Sequence, residues 1–344
     1  MPTLLEQEIR SQPALIETLL AAEFAHIGAI TVALPPFEYV LLAARGSSDH
    51  AGIYAKYAWP ALAGYPIALA APALHTLYHT PPRMAGALVV GVSQSGQSPD
   101  IVAVLAEGRL QGRPTIAITN DPASPLAAVA DHVVELHMGR ERSVAATKTY
   151  TAQLTIMAAF AAQWSGDAAH LDDLRRLPDA LAATLAMTGD LTALAERYRA
   201  IEQCVVIGRG YNLATAQELA LKLKELTYIM TTAYSSADFR HGPIATIDHG
   251  SLVILIAPTG AVYADVLALG HEVRARGAEL LIISDAAEAL DFAQARLPIP
   301  ATLPEWLSPI TAIVPGQLFA LHLAQAKGLN PDIPRGLSKV TQTL

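Results

Sequence analysis

Short, uninterrupted apolar runs alternate along the chain with longer stretches rich in Ala and Leu. The runs Val40-Leu41-Leu42-Ala43-Ala44, Leu88-Val89-Val90-Gly91-Val92 and Ile116-Ala117-Ile118 are continuous, with no polar residue at every second position. Continuous runs are the pattern of parallel strands buried on both faces. The stretches between them, such as 101–110 and 266–275, have the spacing of helices. Strand alternating with helix predicts an α/β chain built on doubly wound parallel sheets. Such sheets bind ligands beyond the carboxyl ends of their strands.

The pattern repeats. Tyr39-Val-Leu-Leu-Ala-Ala-Arg45-Gly46 matches Gln203-Cys-Val-Val-Ile-Gly-Arg209-Gly210, and Gly46 and Gly210 lie 164 residues apart. The run ending Ser95-Gly96 and the run ending Thr259-Gly260 keep that offset, as do those ending Asn120-Asp121 and Ser284-Asp285. Three strand ends in one register predict two copies of one α/β unit. Residues 166–200 read as a helical connector. The expected division is a first domain over 1–185 with N-terminal helices, a second over 186–314, and a C-terminal helix and tail over 315–344. The helix is expected over 315–327, closed by Gly328. Pro331, Pro334 and Gly336 predict an extended tail beyond it, a candidate lid carrying Arg335, Ser338 and Lys339.

Composition narrows the function. The chain has 344 residues, about two domains' worth. It is 52% apolar and 16% charged, against about 25% charged for an average protein, so isolated charges among leucines stand out. The net charge of −8 disfavours a nucleic-acid binder. The single cysteine, Cys204, excludes an internal disulfide and a thiolate metal cluster; inside an apolar strand it reads as core. No run of about 18 uninterrupted apolar residues predicts a membrane span, and Glu6 and Glu8 stand where a signal peptide carries cations. A cytoplasmic protein is expected. His75 and His79 share an i,i+4 spacing without a third ligand, so no metal site is expected.

Four segments carry chemistry. Ser93-Gln94-Ser95-Gly96-Gln97-Ser98-Pro99-Asp100 runs from a buried strand into a helix, with Ser98 as N-cap and Pro99 at the first helical position. Hydroxyls and backbone N–H groups at the positive end of a helix dipole make an anion site. The bland alternative is a Ser-rich turn, for which three serines and a glycine in six residues are excessive. Arg45-Gly46-Ser47-Ser48-Asp49 is the corresponding loop after the first strand. The second copy has lost these hydroxyls, so a phosphate site is expected in the first copy alone. Its Gly208/Gly210 spacing lacks the third glycine of a dinucleotide fingerprint, since Leu213 stands there. Glu218, Lys222 and Glu225 fall at i, i+4 and i+7, one stripe of a helix otherwise rich in leucine. On a surface they would be an ordinary ion pair; on a buried helix a carboxylate beside a lysine is a candidate general base. His241, before Gly242-Pro243, is a candidate proton shuttle, although a lone loop histidine is more often a surface residue.

Together these segments resemble the double-SIS sugar-phosphate isomerase family. The resemblance lies in Arg45-Gly-Ser-Ser48, Ser93-Gln-Ser-Gly96, Val144-Ala-Ala-Thr-Lys148, Glu218 to Glu225, His241-Gly-Pro243 and Pro334-Arg-Gly-Leu-Ser-Lys339, in the family's order across nearly the whole chain. Within the family the chain is similar to the isomerase portion of glucosamine-6-phosphate synthase and to the SIS-type glucosamine-6-phosphate deaminases. The resemblance implies two tandem SIS domains, each a flavodoxin-like doubly wound parallel sheet. It implies that Ser48, Ser93, Gln94, Ser95 and Ser98 hold a sugar phosphate, and that Ser47 and the Val144 backbone contact the sugar hydroxyls. Glu225 would move a proton between C1 and C2, with Lys222 supporting it and Glu218 lining the site. His241 would open the ring, and Lys339, next to Ser338, would form a Schiff base with the ketose. Ala146 stands where the synthase has a serine, and Arg45 where it has a cysteine. Cys204 is no N-terminal nucleophile, so glutamine hydrolysis is not expected. The expected activity converts glucosamine 6-phosphate to fructose 6-phosphate and ammonia without a cofactor, in a homodimer with sites at the subunit interface. The alternatives are another aldose–ketose phosphosugar isomerase, a fructosamine-phosphate deglycase, a glutamine-independent synthase-like activity, or a sugar-phosphate sensor without catalysis.

Overall fold

The computed structural model describes residues 2–339, which form two compact units. The first comprises 14–141, 148–175 and 338–339; the second comprises 2–13, 142–147 and 176–337. The final residues of the expected tail, 340–344, lie outside the described residues.

In the first unit the strands are β1 (Tyr39–Ala43), β2 (Ile67–Leu69), β3 (Ala87–Val92), β4 (Thr115–Thr119) and β5 (His132–Glu135). They form one sheet in the order β2-β1-β3-β4-β5, with every pair parallel. Every residue of β3 and β4 is buried, as their continuous apolar runs require. On one face, Ile101, Val104 and Leu105 of the Pro99–Leu110 helix pack on Leu41, Val89 and Ala117. The Ser47–Ala63 helix packs against the Lys148–Ser165 helix, where the Trp59 indole N–H donates to the Met157 carbonyl at 2.8 Å. Each fully buried Leu, Val or Ile contributes about 1.5–3 kcal/mol.

The second unit repeats the plan with β6 (Gln203–Gly208), β7 (Met230–Ser235), β8 (Leu252–Ile256), β9 (Glu279–Ser284) and β10 (Ala295–Pro298). The order is β10-β9-β8-β6-β7, again all parallel and the same topology as the first sheet. Tyr39 and Gln203, which open β1 and β6, are 164 residues apart, as are Val92 and Ile256, which close β3 and β8. The duplication extends further than the three strand pairs visible in sequence. β2 corresponds to β7 and β5 to β10, but these edge strands are short or half-exposed and carry no continuous apolar run.

The last helix differs from expectation. It runs over Ser308–Ala326, not 315–327, with Pro309 at its first turn and Pro315 inside it. Burial explains this. Every residue from Ser308 to Leu321 is buried, so packing against the Leu213–Thr227 helix outweighs the bond lost at Pro315. Gly316 allows the close approach, since a Cβ there would lie 2.9 Å from Leu219. Two stretches, Gln12–Ala33 and Glu305–Ala326, have the length and composition to cross a membrane. The second has 94% of its apolar window buried, which marks a core helix. The first carries Glu23, paired with His137 at 2.6 Å.

Candidate functional site

The point where strand order reverses lies between β1 and β3 in the first unit, and the two serine-bearing loops leave the sheet there. The loop after β3 turns at Gly96, whose φ of +62° favours glycine. A Cβ at Gly96 would meet Ser124 Oγ at 2.1 Å. The Gly96 N–H donates to Ser93 O and Oγ, and the Asn120 N–H donates to the Gln94 carbonyl at 3.0 Å. The loop is thus fixed by the backbone that follows β4. Ser93 is buried, while Gln94, Ser95 and Ser98 are half-buried. Ser98 occupies the N-cap position of the Pro99–Leu110 helix, with Pro99 next, yet its hydroxyl makes no capping bond. That hydroxyl and the Asp100 N–H remain for an anion, since Pro99 has no N–H and the Ile101 N–H donates to Asp100 Oδ1 at 2.9 Å.

The other loop supplies Ser47 and Ser48 at the start of the Ser47–Ala63 helix. Ser48 is buried, and its Oγ accepts from Gln153 Nε2 at 3.0 Å. Burial lifts the neighbouring Asp49 carboxyl above its usual range, against the pull of His50 and Arg45. Arg45, unexplained by the sequence, has a structural role. Its Nε donates to Asp100 Oδ2 at 2.8 Å, and Asp100 is fully buried in the first turn of the helix after β3. The pair clamps the two serine loops together. Lys339 also belongs to this unit. Its Nζ lies 2.5 Å from Oε2 of the buried Glu141, beside exposed Ser338.

In the second unit the predicted stripe is present. Glu218 and Lys222 are fully buried on the Leu213–Thr227 helix. Lys222 Nζ lies 3.4 Å from Glu218 Oε1 and 2.5 Å from Glu225 Oε2. Glu225 alone of the three reaches solvent, with 22% of its side chain exposed. A buried ammonium between two carboxylates, one of them open, suits proton transfer at the open carboxylate. His241 is exposed at the end of the Ser236–Arg240 helix; its imidazole makes no hydrogen bond or ion pair among the described residues.

Val144 and Ala146 are half-buried in a segment held by Glu8. The Glu8 carboxylate accepts from the Arg142 N–H at 2.5 Å and from the N–H and hydroxyl of Ser143. Asp332 caps the Leu4–Arg10 helix through the N–H groups of Leu4 and Leu5, at 3.0 and 2.8 Å. The tail is fixed again at Tyr228, whose OH accepts from the Arg335 N–H at 2.6 Å and whose ring lies under the Arg335 guanidinium at 4.2 Å. Glu8, Asp332, Tyr228 and Glu141 were not legible as site residues.

The second copy lacks an open cradle. Thr259 and Ala261, the counterparts of Ser95 and Gln97, donate their backbone N–H groups to Asp285 and Glu305 at 2.6 and 2.7 Å. The protein's own carboxylates occupy the place of an anion. Among the described residues no group of three or more His, Cys, Asp or Glu side chains is arranged to hold a metal ion. Cys204 is core, as expected, and burial pushes its thiol up to about 11.

Two doubly wound parallel sheets, with a serine loop at the switch point of one, define a double-SIS architecture. The SIS domain model matches residues 38–163 and 198–326, and the chain belongs to that family. It is homologous to phosphosugar isomerases. Glutamine–fructose-6-phosphate aminotransferase (isomerizing) from Gloeobacter violaceus is 36% identical over 97% of this chain. The match covers 57% of that relative, so the chain spans little more than half the length of the curated relatives it matches. The C-terminal domain of glucosamine-fructose-6-phosphate aminotransferase from Francisella tularensis superposes with a TM-score of 0.90 at 27% identity, covering 97% of this chain and 99% of that one. Glucosamine-6-phosphate deaminase from Thermotoga maritima shares the fold, with a TM-score of 0.79 at 20% identity over 99% of this chain and 100% of that one.

Proposed function

We propose that the chain converts glucosamine 6-phosphate and water to fructose 6-phosphate and ammonia. The observation that carries this reading is the Glu218–Lys222–Glu225 stripe, a buried ammonium beside one solvent-reaching carboxylate. Ser48, Ser93, Gln94, Ser95 and Ser98 bind the phosphate; Ser47, the Val144 backbone and the Ala146 and Ser338 positions line the sugar. His241 assists ring opening. Glu225 removes the C2 proton of the open-chain aldehyde and delivers it to C1, and a proton passes from the C2 amine to O1, leaving an imine at C2 and a hydroxyl at C1. Lys222 steadies the charge that develops on the sugar oxygens. Water releases ammonia from the imine, directly or after exchange onto the Lys339 amine. We place the protein in the cytoplasm as a homodimer.

Incubation with glucosamine 6-phosphate is expected to release ammonia and fructose 6-phosphate in equal amounts. Folded protein that releases no ammonia would sink this reading, and a panel of other aldose, ketose and fructosamine phosphates then separates the remaining isomerase and deglycase activities. Glu225→Gln should bind the sugar phosphate and lose turnover. Binding without turnover in the unaltered protein would mark it as a sensor.

A further inference from the structure

Glu141 is a buried carboxylate that the reading above leaves without a part, and it rests against the amine that reading makes reactive. Its Oε2 lies 2.5 Å from Lys339 Nζ and accepts from the Thr149 hydroxyl at 2.8 Å, while Oε1 accepts from the Thr149 N–H at 3.2 Å. Thr149 is the second residue of the Lys148–Ser165 helix, so the carboxylate is held at a helix N-terminus by two hydrogen bonds. The duplication adds an independent indication. Glu141 and Glu305 are 164 residues apart, the offset of the repeat, and each follows the last strand of its sheet. In the second copy Glu305 reaches the loop after β8, taking the Ala261 N–H. In the second copy this position therefore reaches a strand-end loop, the place where doubly wound sheets bind ligands.

We propose that Glu141 positions Lys339 and accepts its proton when the amine attacks a ketose carbonyl. The inference rests on the reading of Lys339 as the imine-forming amine. The ammonium passes one proton to Glu141, and the neutral amine adds to the carbonyl carbon. The proton then shifts from nitrogen to the alkoxide, giving a carbinolamine. Glu141 returns its proton to the carbinolamine hydroxyl, which leaves as water. The products are an iminium on Lys339 and the restored carboxylate, with no net gain or loss of protons.

The test is borohydride trapping with fructose 6-phosphate, read by mass spectrometry of the intact chain and followed across pH. The unaltered protein should form an adduct that Lys339→Ala abolishes. Glu141→Gln should trap at least tenfold more slowly near neutrality, with a rate that climbs about tenfold per pH unit because bulk solvent must now take the proton. Glu141→Asp, which keeps the acid, should trap slowly but retain the original pH profile, and it serves if Glu141→Gln fails to fold. An adduct in the unaltered protein with the same rate and profile in Glu141→Gln overturns the role of Glu141 alone. No adduct in the unaltered protein overturns the reading of Lys339 itself, before any variant is made.

Discussion

Arg45 Nε lies 2.8 Å from Asp100 Oδ2, and in the second copy Arg209, one repeat after Arg45, has its Nη1 2.7 Å from Oδ2 of Asp265, one position past the counterpart of Asp100. Both pairs join the end of a sheet's first strand to the first turn of the helix after its third. The duplicated unit thus carries its own clamp across the switch point. The surroundings of the two pairs differ. Asp100 is fully buried, whereas Asp265 is about a third exposed and also binds Arg240 and Ser236.

Removing the arginine should therefore hurt one copy more than the other. Arg45→Met leaves a buried carboxylate with only the Ile101 N–H as a described partner and should cost about 3 kcal/mol. It should also weaken sugar-phosphate binding, because the serine loops lose their tie. Arg209→Met should cost about 1 kcal/mol or less. Thermal unfolding of the two variants checks the order; equal losses would contradict it.

Acid should loosen the second clamp in a defined window. Burial raises the Asp265 carboxyl, but the Ser236 hydroxyl and Arg209, with Arg240, outweigh it and hold it below the usual carboxylate range. A depressed folded-state value contributes stability above the unfolded value of about 3.9, and that stability is lost as pH falls through the folded value. Melting temperature against pH should fall less steeply below about pH 4 in Asp265→Asn than in the unaltered chain.

Gly96→Ala combines an unfavourable φ with a collision on Ser124. It should cost more than the roughly 1–2 kcal/mol of the conformation alone and reduce affinity for sugar phosphate. Gly112→Ala is the control, with φ of +67° and nothing within 4 Å of the added Cβ. Calorimetric titration with glucosamine 6-phosphate should separate them.

Lys222→Met leaves two carboxylates without the cation between them and should destabilise the chain by about 3–5 kcal/mol. Adding Glu218→Gln should recover part of that loss, because one buried charge goes too, without restoring turnover. Denaturant unfolding and ammonia release, measured on both variants, distinguish the structural role from the chemical one.

Cys204, with its thiol raised to about 11, should resist an aromatic disulfide reagent in the native protein at pH 8 and react fully in urea. Rapid native labelling would show that the β6 strand opens.

What the sequence revealed follows from distance along the chain. Glu218, Lys222 and Glu225 are legible because one helix spaces them, and the serine loops because each ends a continuous apolar run. Edge strands β2 and β10 are not, since partial exposure breaks the run. Pro315 reads as a helix start by local rules, and only the burial around it shows that the helix passes through. Glu8, Glu141 and Asp332 meet their partners 134, 198 and 327 residues away, and no local pattern marks such pairings.

The carboxylates of Asp285 and Glu305 carry a consequence for the whole molecule. In the second copy these carboxylates take the N–H groups that, in the first, stand at Ser95 and Gln97. A chain built twice on one plan is therefore expected to take one sugar phosphate per polypeptide at saturation, not two.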